Sequence, residues 1–172
     1  MSAFGDKSIF NFNDSNEKQK PYSERFIEWL KTRPKITGVV KGKLSEDKQG
    51  IDYWITTSEG EYSIQLKVDG WADKTGNLPV ETISQAYSTR NSVIGAEFNM
   101  YKVDYIFFLL IPSQRLLGFN FKNFLEYVIQ HFEHFNTFGA DNDNAGYKYR
   151  TLGCLIPIKK IIHLAIFDTK LD

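Results

Sequence analysis

The chain has 172 residues, of which 42% are hydrophobic and 24% are charged, and its 21 basic and 21 acidic residues give a formal net charge of zero. This length and composition exclude an intrinsically disordered or fibrous chain and predict one globular domain that can bury a core. The neutral total excludes binding to nucleic acid by net charge alone, although basic residues can still be concentrated locally.

The cysteine content and the hydropathy pattern predict a cytoplasmic location. The single cysteine, Cys154, cannot form an intramolecular disulfide, which is typical of a reducing compartment. It lies in the apolar stretch LGCLIPI, which predicts a small core residue. The polar N-terminal stretch does not have the pattern of a signal peptide. The longest apolar run, residues 105–111, is far shorter than the roughly 20 residues of a membrane-spanning helix, so no membrane partner is expected.

The first elements in chain order are predicted to be an arm, a helix and a strand. Residues 1–20 are rich in Asn, Asp, Ser and Lys without a sustained period, which favours a flexible N-terminal arm ahead of a single domain over residues 21–172. The stretch PYSERFIEWLKTRP begins with Pro21 and ends at Pro34, and its apolar residues form one helical stripe. These residues are Tyr22, Phe26, Trp29 and Leu30. A short strand follows at residues 36–43.

The later elements favour a single α/β domain. The continuous apolar run at residues 103–112 is typical of a central strand that is covered on both faces, and the Phe-rich stretch 122–135 has helical spacing. The other predicted elements are a hairpin at 50–69, a third strand at 78–84, a helix from there to residue 98, a partner strand at 115–121 and one or two strands after residue 153. This order predicts a central mixed β-sheet flanked by helices.

The predicted hairpin brings three polar side chains onto one face of the sheet. If Glu59 and Gly60 form a two-residue loop, Asp52 lies opposite Lys67, and Gln65 is its diagonal neighbour. Directly opposed Cβ atoms are about 5 Å apart and diagonal ones about 7–8 Å. The three side chains would then share one patch, whereas a three-residue loop would separate them.

An acid, an amide and an amine in one patch can form a hydrolytic site. The carboxylate of Asp52 and the amide oxygen of Gln65 are hard oxygen donors suited to Mg²⁺, and the backbone carbonyl of Leu66 is a further candidate ligand. Lys67 would orient or deprotonate a water molecule, or stabilise negative charge on a phosphate. The alternative is an ordinary cross-strand ion pair between Asp52 and Lys67 on a solvated face, worth less than about 1 kcal/mol.

The stretch from about residue 24 to residue 84 resembles the PD-(D/E)XK nuclease superfamily. Its three motifs are an acid in the first helix (Glu24 in YSERFIEWL), an Asp that starts a strand (Asp52 in GIDYWI) and a Q-x-K on the next strand (Gln65 and Lys67 in IQLKVD). Gln replaces the commoner acid, as in members that include a small homing endonuclease and a transposon nuclease subunit. Ile51 stands where the superfamily usually has proline.

The resemblance implies a restriction-endonuclease-like core and a DNA endonuclease of homing or restriction type that uses Mg²⁺ or Mn²⁺. Asp52 and Gln65 would hold the metal, Lys67 would act on the attacking water, and Glu24 would assist. Glu81 in the third predicted strand is a further candidate for this site. One such site cuts one strand, so double-strand cleavage implies a homodimer or a higher homo-oligomer.

Three alternatives stay open at this point. A Holliday-junction resolvase or a transposon-associated nuclease would use the same site on another DNA substrate. A non-catalytic DNA-binding or assembly module of the same fold is compatible with Gln65 and with the neutral charge. A protein–protein adaptor would use the aromatic helix and would have no salt-dependent affinity for DNA.

Two segments without acidic residues are candidates for contacts with DNA phosphates, residues 31–43 and 144–162. Phosphate contacts dominate affinity for DNA, so such segments can bind it despite a neutral total. The alternative is an ordinary solvated surface. The candidate residues are Lys31, Arg33, Lys35, Lys41 and Lys43 in the first segment and Lys148 and Arg150 in the second.

Two other metal-binding patterns are incomplete. His131 and His134 are three residues apart on the Phe-rich helix, but the sequence offers no nearby third ligand, so zinc is not expected. The stretch DNDNAG at 141–146 begins like a calcium-binding EF-hand loop, but Leu152 occupies the position that requires an acid. A polar loop is therefore predicted there.

Overall fold

Two β-sheets and five α-helices form the part of the chain that the computed structural model describes, which is residues 10–47, 49–83, 103–144 and 147–171. The helices are α1 (Phe12–Lys31), α2 (Leu44–Asp47), α3 (Ala72–Thr75), α4 (Phe121–His131) and α5 (Ile158–Ile161). Short 3-10 turns follow α4 at Phe132–His134 and α5 at Ile162–Leu164. None of the helices in these segments is both long and apolar enough to cross a membrane.

A six-stranded sheet forms the centre of the fold. Its strands are β2 (Ile36–Lys41), β3 (Tyr53–Thr57), β4 (Gly60–Asp69), β6 (Tyr105–Leu110), β7 (Arg115–Asn120) and β10 (Ala165–Lys170). They lie in the order β10-β7-β6-β4-β3-β2, with β4 and β6 parallel and the other neighbours antiparallel. The predicted α/β domain with a central mixed sheet and flanking helices is therefore confirmed.

A second, four-stranded sheet contains β1 (Phe10–Asn11), β5 (Asn77–Ile83), β8 (Asn136–Asn144) and β9 (Tyr147–Pro157), in the order β1-β8-β9-β5. The sequence predicts a strand at β5 but a polar loop at 141–146. The loop assignment is wrong for residues 141–144, because they pair with β9, where Asp141 is opposite Arg150. The predicted helix between residues 84 and 98 lies outside the described residues.

Strand β6 separates two apolar cores. The α1 core lies between α1 and one face of the six-stranded sheet and contains Phe26, Leu30, Ile64, Phe107 and Leu109. The α4 core lies between the other face, α4 and the smaller sheet and contains Leu78, Phe108, Leu110, Phe124, Cys154 and Ile156. Successive residues of β6 point into different cores, which confirms a central strand covered on both faces. Cys154 is fully buried, as predicted, and burial raises the pKa of its thiol to about 11.

The N-terminal boundary differs from the prediction. Helix α1 begins at Phe12, and Pro21 lies inside it instead of at its start. Residues 10–20, predicted as part of a flexible arm, therefore belong to β1 and α1. The reason is tertiary, because β1 pairs in parallel with β8, where Phe10 is opposite Asn142. A polar composition alone does not indicate such a long-range pairing.

Candidate active site

The β3–β4 hairpin has a different register from the predicted one. Thr57 pairs with Gly60, so the loop consists of Ser58 and Glu59, and Gly60 (φ 144°) is the first residue of β4. The Thr57 hydroxyl stabilises this loop, because its Oγ1 accepts a hydrogen bond from the Glu59 N–H at 3.0 Å and donates to the Gly60 carbonyl at 3.2 Å. The predicted pairing of Asp52 with Lys67 is therefore wrong by two residues.

A shift of two residues keeps the polar side chains together. The N–H of Asp52 donates to the Ile64 carbonyl at 2.9 Å, and its Oδ2 accepts a hydrogen bond from the Leu66 N–H at 2.7 Å. Asp52 thus lies alongside Gln65, with Lys67 next along β4. Because Ile64 and Leu66 pack in the α1 core, Gln65 and Lys67 point to the opposite face of the sheet.

Burial controls the electrostatics of Asp52. It raises the pKa of this carboxyl group from 3.8 to about 6, because the charged form loses solvation, and the hydrogen bond from the Leu66 N–H opposes the shift. The negative charge of Asp47 raises the pKa further, whereas Lys67 and Lys41 lower it. Among the described residues, the charged groups that act on Asp52 are therefore one further acid and two lysines.

Lys67 does not neutralise Asp52 directly. None of the ion pairs found in the described segments involves either residue. Gln65 is 8% exposed, and its side-chain amide makes no hydrogen bond to another described residue. An amide that has no partner within the protein is free to accept or donate hydrogen bonds to a ligand, so this group is a candidate for such a contact. The alternative of a plain cross-strand ion pair does not describe this arrangement.

The turn between β2 and β3 fixes the position of Asp52. The Gly42 N–H donates to the Asp52 carbonyl at 2.7 Å, and the Ile51 N–H donates to the Glu46 carbonyl of α2 at 3.1 Å. Glu46 in turn accepts a hydrogen bond from the Lys43 N–H through Oε2 at 2.6 Å, which closes the first turn of α2. This framework places α2, and with it Asp47, close enough to Asp52 to act on its charge.

Sequence reasoning missed Asp47. It lies in a short polar stretch between two strands, without the periodicity that identifies a helix or a face. The spacing Lys43-x-x-Glu46, in which Glu46 is three residues after the start of the turn, is the one local signal for α2. Nothing in that signal indicates that Asp47 lies near Asp52, because their proximity depends on how β2 pairs with β3.

The structure does not bring Glu24 to this group. Glu24 is exposed on α1, which packs on the face of the sheet opposite Gln65 and Lys67. It lines an open groove with Thr169 and Lys170 of β10, the strand at the far edge of the sheet from β2. The expectation that Glu24 assists at this site is therefore not met by its position.

Glu81 also lies apart from the candidate site. It is half-buried in β5 and pairs with Gly153 of β9 in the smaller sheet. Val80, its neighbour, points into the α4 core, so Glu81 points away from that core. Neither Glu24 nor Glu81 is among the charged groups that act on Asp52.

The candidate phosphate contacts of the first basic segment fall into two places. Lys31 and Arg33 lie at the end of α1, where Lys31 pairs with Glu28 at 2.8 Å and the Arg33 guanidinium lies 4.7 Å from the centre of the Trp29 ring. Lys35 is exposed just before β2. Lys41 and Lys43 follow at the other end of β2, beside Asp52.

The second basic segment is partly engaged within the chain. Arg150 forms an exposed ion pair with Asp141 at 3.5 Å, and its guanidinium lies across Gly139 of β8. The side chain of Lys148 lies outside the part of the chain whose side chains are described. Of the candidate phosphate contacts whose side chains are described, Lys41 and Lys43 are therefore the ones that lie beside Asp52.

Comparisons with known proteins found one relevant structure. No family model matches the chain, and no curated protein matches it. A solved structure titled as a bacterial homing endonuclease, I-Ssp6803I, is similar to this chain with 20% sequence identity and a TM-score of 0.46. The similarity covers 65% of this chain and 72% of that chain. Similarity at this level does not establish a shared activity.

Proposed function

We propose that this protein is a Mg²⁺-dependent DNA endonuclease of the homing or restriction type, with Asp52, Gln65 and Lys67 as its catalytic residues. The supporting observation is that the half-buried carboxylate of Asp52 lies beside the side-chain amide of Gln65, which has no hydrogen-bond partner among the described residues. A lysine follows on the same face without forming an ion pair to the carboxylate. Burial disfavours the charged form of Asp52, a cost in stability that a bound cation would offset.

The donor set fits a hard divalent cation. Asp52 offers a carboxylate and Gln65 an amide oxygen, the ligand types that Mg²⁺ prefers, and Mg²⁺ takes few protein ligands because it keeps several waters. A nearby cation would also lower the raised pKa of Asp52. Asp52 and Gln65 would hold the ion, which when bound polarises a phosphate oxygen and lowers the pKa of water. Mn²⁺ has the same ligand preference and would replace it.

Lys67 supplies the group that acts at the reacting phosphate. Its ammonium can stabilise negative charge that develops on a phosphate oxygen, and its neutral amine can take the proton of the attacking water. Water then adds to phosphorus, the bond from phosphorus to one bridging oxygen breaks, and that oxygen takes a proton. Lys41, which also acts on Asp52, lies near enough to contribute positive charge to the same phosphate.

The proposed DNA path runs along the β2 side of the site. Lys41 and Lys43 would contact phosphates next to the one that is cut, and Lys31, Arg33 and Lys35 would extend these contacts towards the end of α1. Lys148 and Arg150 are candidates for contacts further away. One site cuts one strand, so double-strand cleavage would require a homodimer or a higher homo-oligomer.

A plasmid nicking assay tests the proposed function. Purified protein should convert supercoiled plasmid to nicked plasmid with Mg²⁺ or Mn²⁺ and leave it intact in EDTA. Binding without cleavage in either metal would instead identify a DNA-binding module of the same fold. Parallel reactions on a linear duplex and a four-way junction would separate a homing or restriction enzyme from a resolvase, because only a resolvase would prefer the junction.

The pH dependence of nicking is expected to follow Asp52. Because the cation must displace the proton of a carboxyl group whose pKa is about 6, the rate should rise through pH 6 and fall about tenfold for each unit below it at low Mg²⁺. Raising the Mg²⁺ concentration should move the midpoint to lower pH, since metal and proton compete. Rates measured across pH 4.5–8 at two Mg²⁺ concentrations check this, and a midpoint that ignores Mg²⁺ would contradict it.

Gly42→Ala is expected to lower nicking by about 10–100-fold in a protein that still folds. An added Cβ would lie 2.4 Å from the Ile51 carbonyl oxygen, so the backbone that carries Asp52 must move. Gly70→Ala is the matched control, because its Cβ would meet only a side-chain atom of Ile111 at 3.8 Å. Nicking rates and circular dichroism of both variants provide the measurement. Equal activity of the two variants would mean that the position of Asp52 is unimportant.

A further inference from the structure

An aromatic side chain is exposed just beyond the strand that carries Lys67. Trp71 is 61% exposed and directly precedes α3, after β4 has ended at Asp69. The other two tryptophans, Trp29 and Trp54, pack against the apolar cores. An indole left in solvent is unusual, because burying such a ring removes a large apolar surface from water.

Hydrogen bonds hold the backbone that carries this ring. The Trp71 N–H donates to Asp69 Oδ1 at 2.9 Å, and the Trp71 carbonyl accepts hydrogen bonds from the N–H groups of Lys74 at 3.0 Å and Thr75 at 2.9 Å. Ala72 is fully buried in the α4 core, which anchors the helix from below. Trp71 is therefore an exposed ring on an ordered segment.

A contact between α3 and the β6–β7 turn adds to this anchoring. The Asp73 carboxylate accepts hydrogen bonds from the Ser113 N–H and from its hydroxyl, both at 2.8 Å. The segment thus has tertiary contacts on two sides, and the ring stays exposed all the same. An exposed aromatic side chain on an anchored segment is expected of a surface that binds a ligand.

The segment that carries the ring lies close to the proposed site and packs on the same side of the sheet. Trp71 follows Lys67 by four residues, which is at most roughly 13 Å along an extended chain. Ala72 packs in the α4 core, on the face to which Gln65 and Lys67 point. At 3.4 Å of rise per nucleotide, this distance is within about four nucleotides of a phosphate held at Lys67.

The surroundings of Trp71 fit a nucleobase and not a protein partner. The Lys74 ammonium lies 5.5 Å from the centre of the Trp71 ring, so an aromatic surface and a positive charge stand together. This combination is typical of sites for single-stranded DNA, where bases stack on rings and cations contact the backbone. Its exposed sequence neighbours in the described part of the chain, Gly70, Asp73, Lys74 and Thr75, are not apolar and so do not widen the ring into an apolar patch for a protein to bury.

We propose that Trp71 stacks on an unpaired nucleobase of the DNA substrate, a few nucleotides from the phosphodiester held at Lys67. The preferred substrate is then DNA with an unpaired base beside the cleaved bond, either in a single-stranded segment or where a duplex is opened locally. The location of that bond rests on the proposed function, whereas stacking itself is a binding property. Lys74 contacts the phosphate next to the stacked base.

Binding to two labelled DNA molecules in EDTA, where no cleavage occurs, tests this proposal. One molecule is a blunt duplex, and the other is the same duplex with a single-stranded overhang. Trp71→Ala should weaken binding of the overhang molecule by about tenfold or more and leave binding of the blunt duplex unchanged. Trp71→Phe should keep most of the affinity, since Phe preserves a stacking ring, and Ile129→Ala, another exposed apolar residue, should have no effect.

Two results would overturn the proposal. Trp71→Ala could bind the overhang molecule as tightly as the wild type, which is also the result expected if the ring contacts a protein. It could instead lose affinity equally for both molecules, which would show that no unpaired base is involved. Thermal melting confirms that each variant folds. Because the assay contains no metal, an absence of nicking would count against the proposed function and not against the stacking.

Discussion

Lys67→Ala is expected to lower Mg²⁺-dependent nicking by about 10²–10⁴-fold, the range typical for loss of a group that transfers a proton or stabilises charge in the transition state. DNA binding should change little, because one phosphate contact among several contributes a small part of the affinity. Folding should be preserved, since Lys67 takes part in no ion pair in the described segments. Plasmid nicking and binding to labelled duplex DNA measure the two effects separately.

The control for this prediction is a lysine away from the site. Lys122→Ala removes an ammonium from α4 whose side chain is 82% exposed and lies 4.0 Å from Glu126, so it should change neither nicking nor folding. Full nicking by the Lys67 variant would contradict the proposed role. An unfolded Lys67 variant would mean that the lysine is structural, and Lys67→Arg, which keeps the charge, should then restore folding.

Asp52→Asn is expected to abolish nicking and, at the same time, to stabilise the metal-free protein at pH 7.5. Burial raises the pKa of Asp52 from 3.8 to about 6, so the folded state disfavours the charged form. The contribution of protonated Asp52 to the free energy of unfolding is fully present below about pH 4. It is lost as the pH rises through about 6. At 1.36 kcal/mol per pKa unit, the neutral variant should gain about 1–3 kcal/mol above pH 6. Its side-chain oxygen can still accept the Leu66 N–H.

Thermal melting with and without Mg²⁺ measures this effect. Mg²⁺ should stabilise the wild type above pH 6, because it binds only the folded protein, and should not stabilise the variant. Asp168→Asn is the matched control, and its expected change in stability has the opposite sign. Asp168 pairs with Arg115 at 2.8 Å, and the hydrogen bond from Arg115 lowers its pKa, so its neutralisation should destabilise the protein slightly. A wild type that melts above the Asp52 variant at pH 7.5 without metal would contradict the burial argument.

The observed site shows how far local patterns extend. Alternation along a strand depends only on backbone geometry, so the sequence alone predicts that Gln65 and Lys67 share one face and that Ile64 and Leu66 share the other. The same logic predicts the covered strand β6 and the helical stripe of Phe26 and Leu30. These predictions are confirmed, because periods of 2 and 3.6 residues are intrinsic to a strand and a helix.

Alternation along a strand does not predict the register of the hairpin, that is, which residues of β3 and β4 pair. The usual preference for glycine in two-residue loops favours Glu59-Gly60. The observed loop is Ser58-Glu59, which is followed by Gly60 at φ 144° and depends on the Thr57 hydroxyl and on how β4 pairs with β6. The two registers differ by two residues, which preserves the face but moves Asp52 from Lys67 to Gln65. Asp52, Gln65 and Lys67 share one face in both registers, because a shift of two residues equals the side-chain period of a strand.

The sequence by itself determined the α/β class, the central strand β6 and the shared face of Gln65 and Lys67, because each follows from periodicity within a few residues. Only the tertiary structure decided that Glu24 lies on the other side of the sheet, that Asp47 lies near Asp52, and that residues 10–20 are anchored by β8. These outcomes depend on which distant segments pack together. Such pairings arise from the burial of surfaces across the whole chain, and no short stretch of sequence contains them.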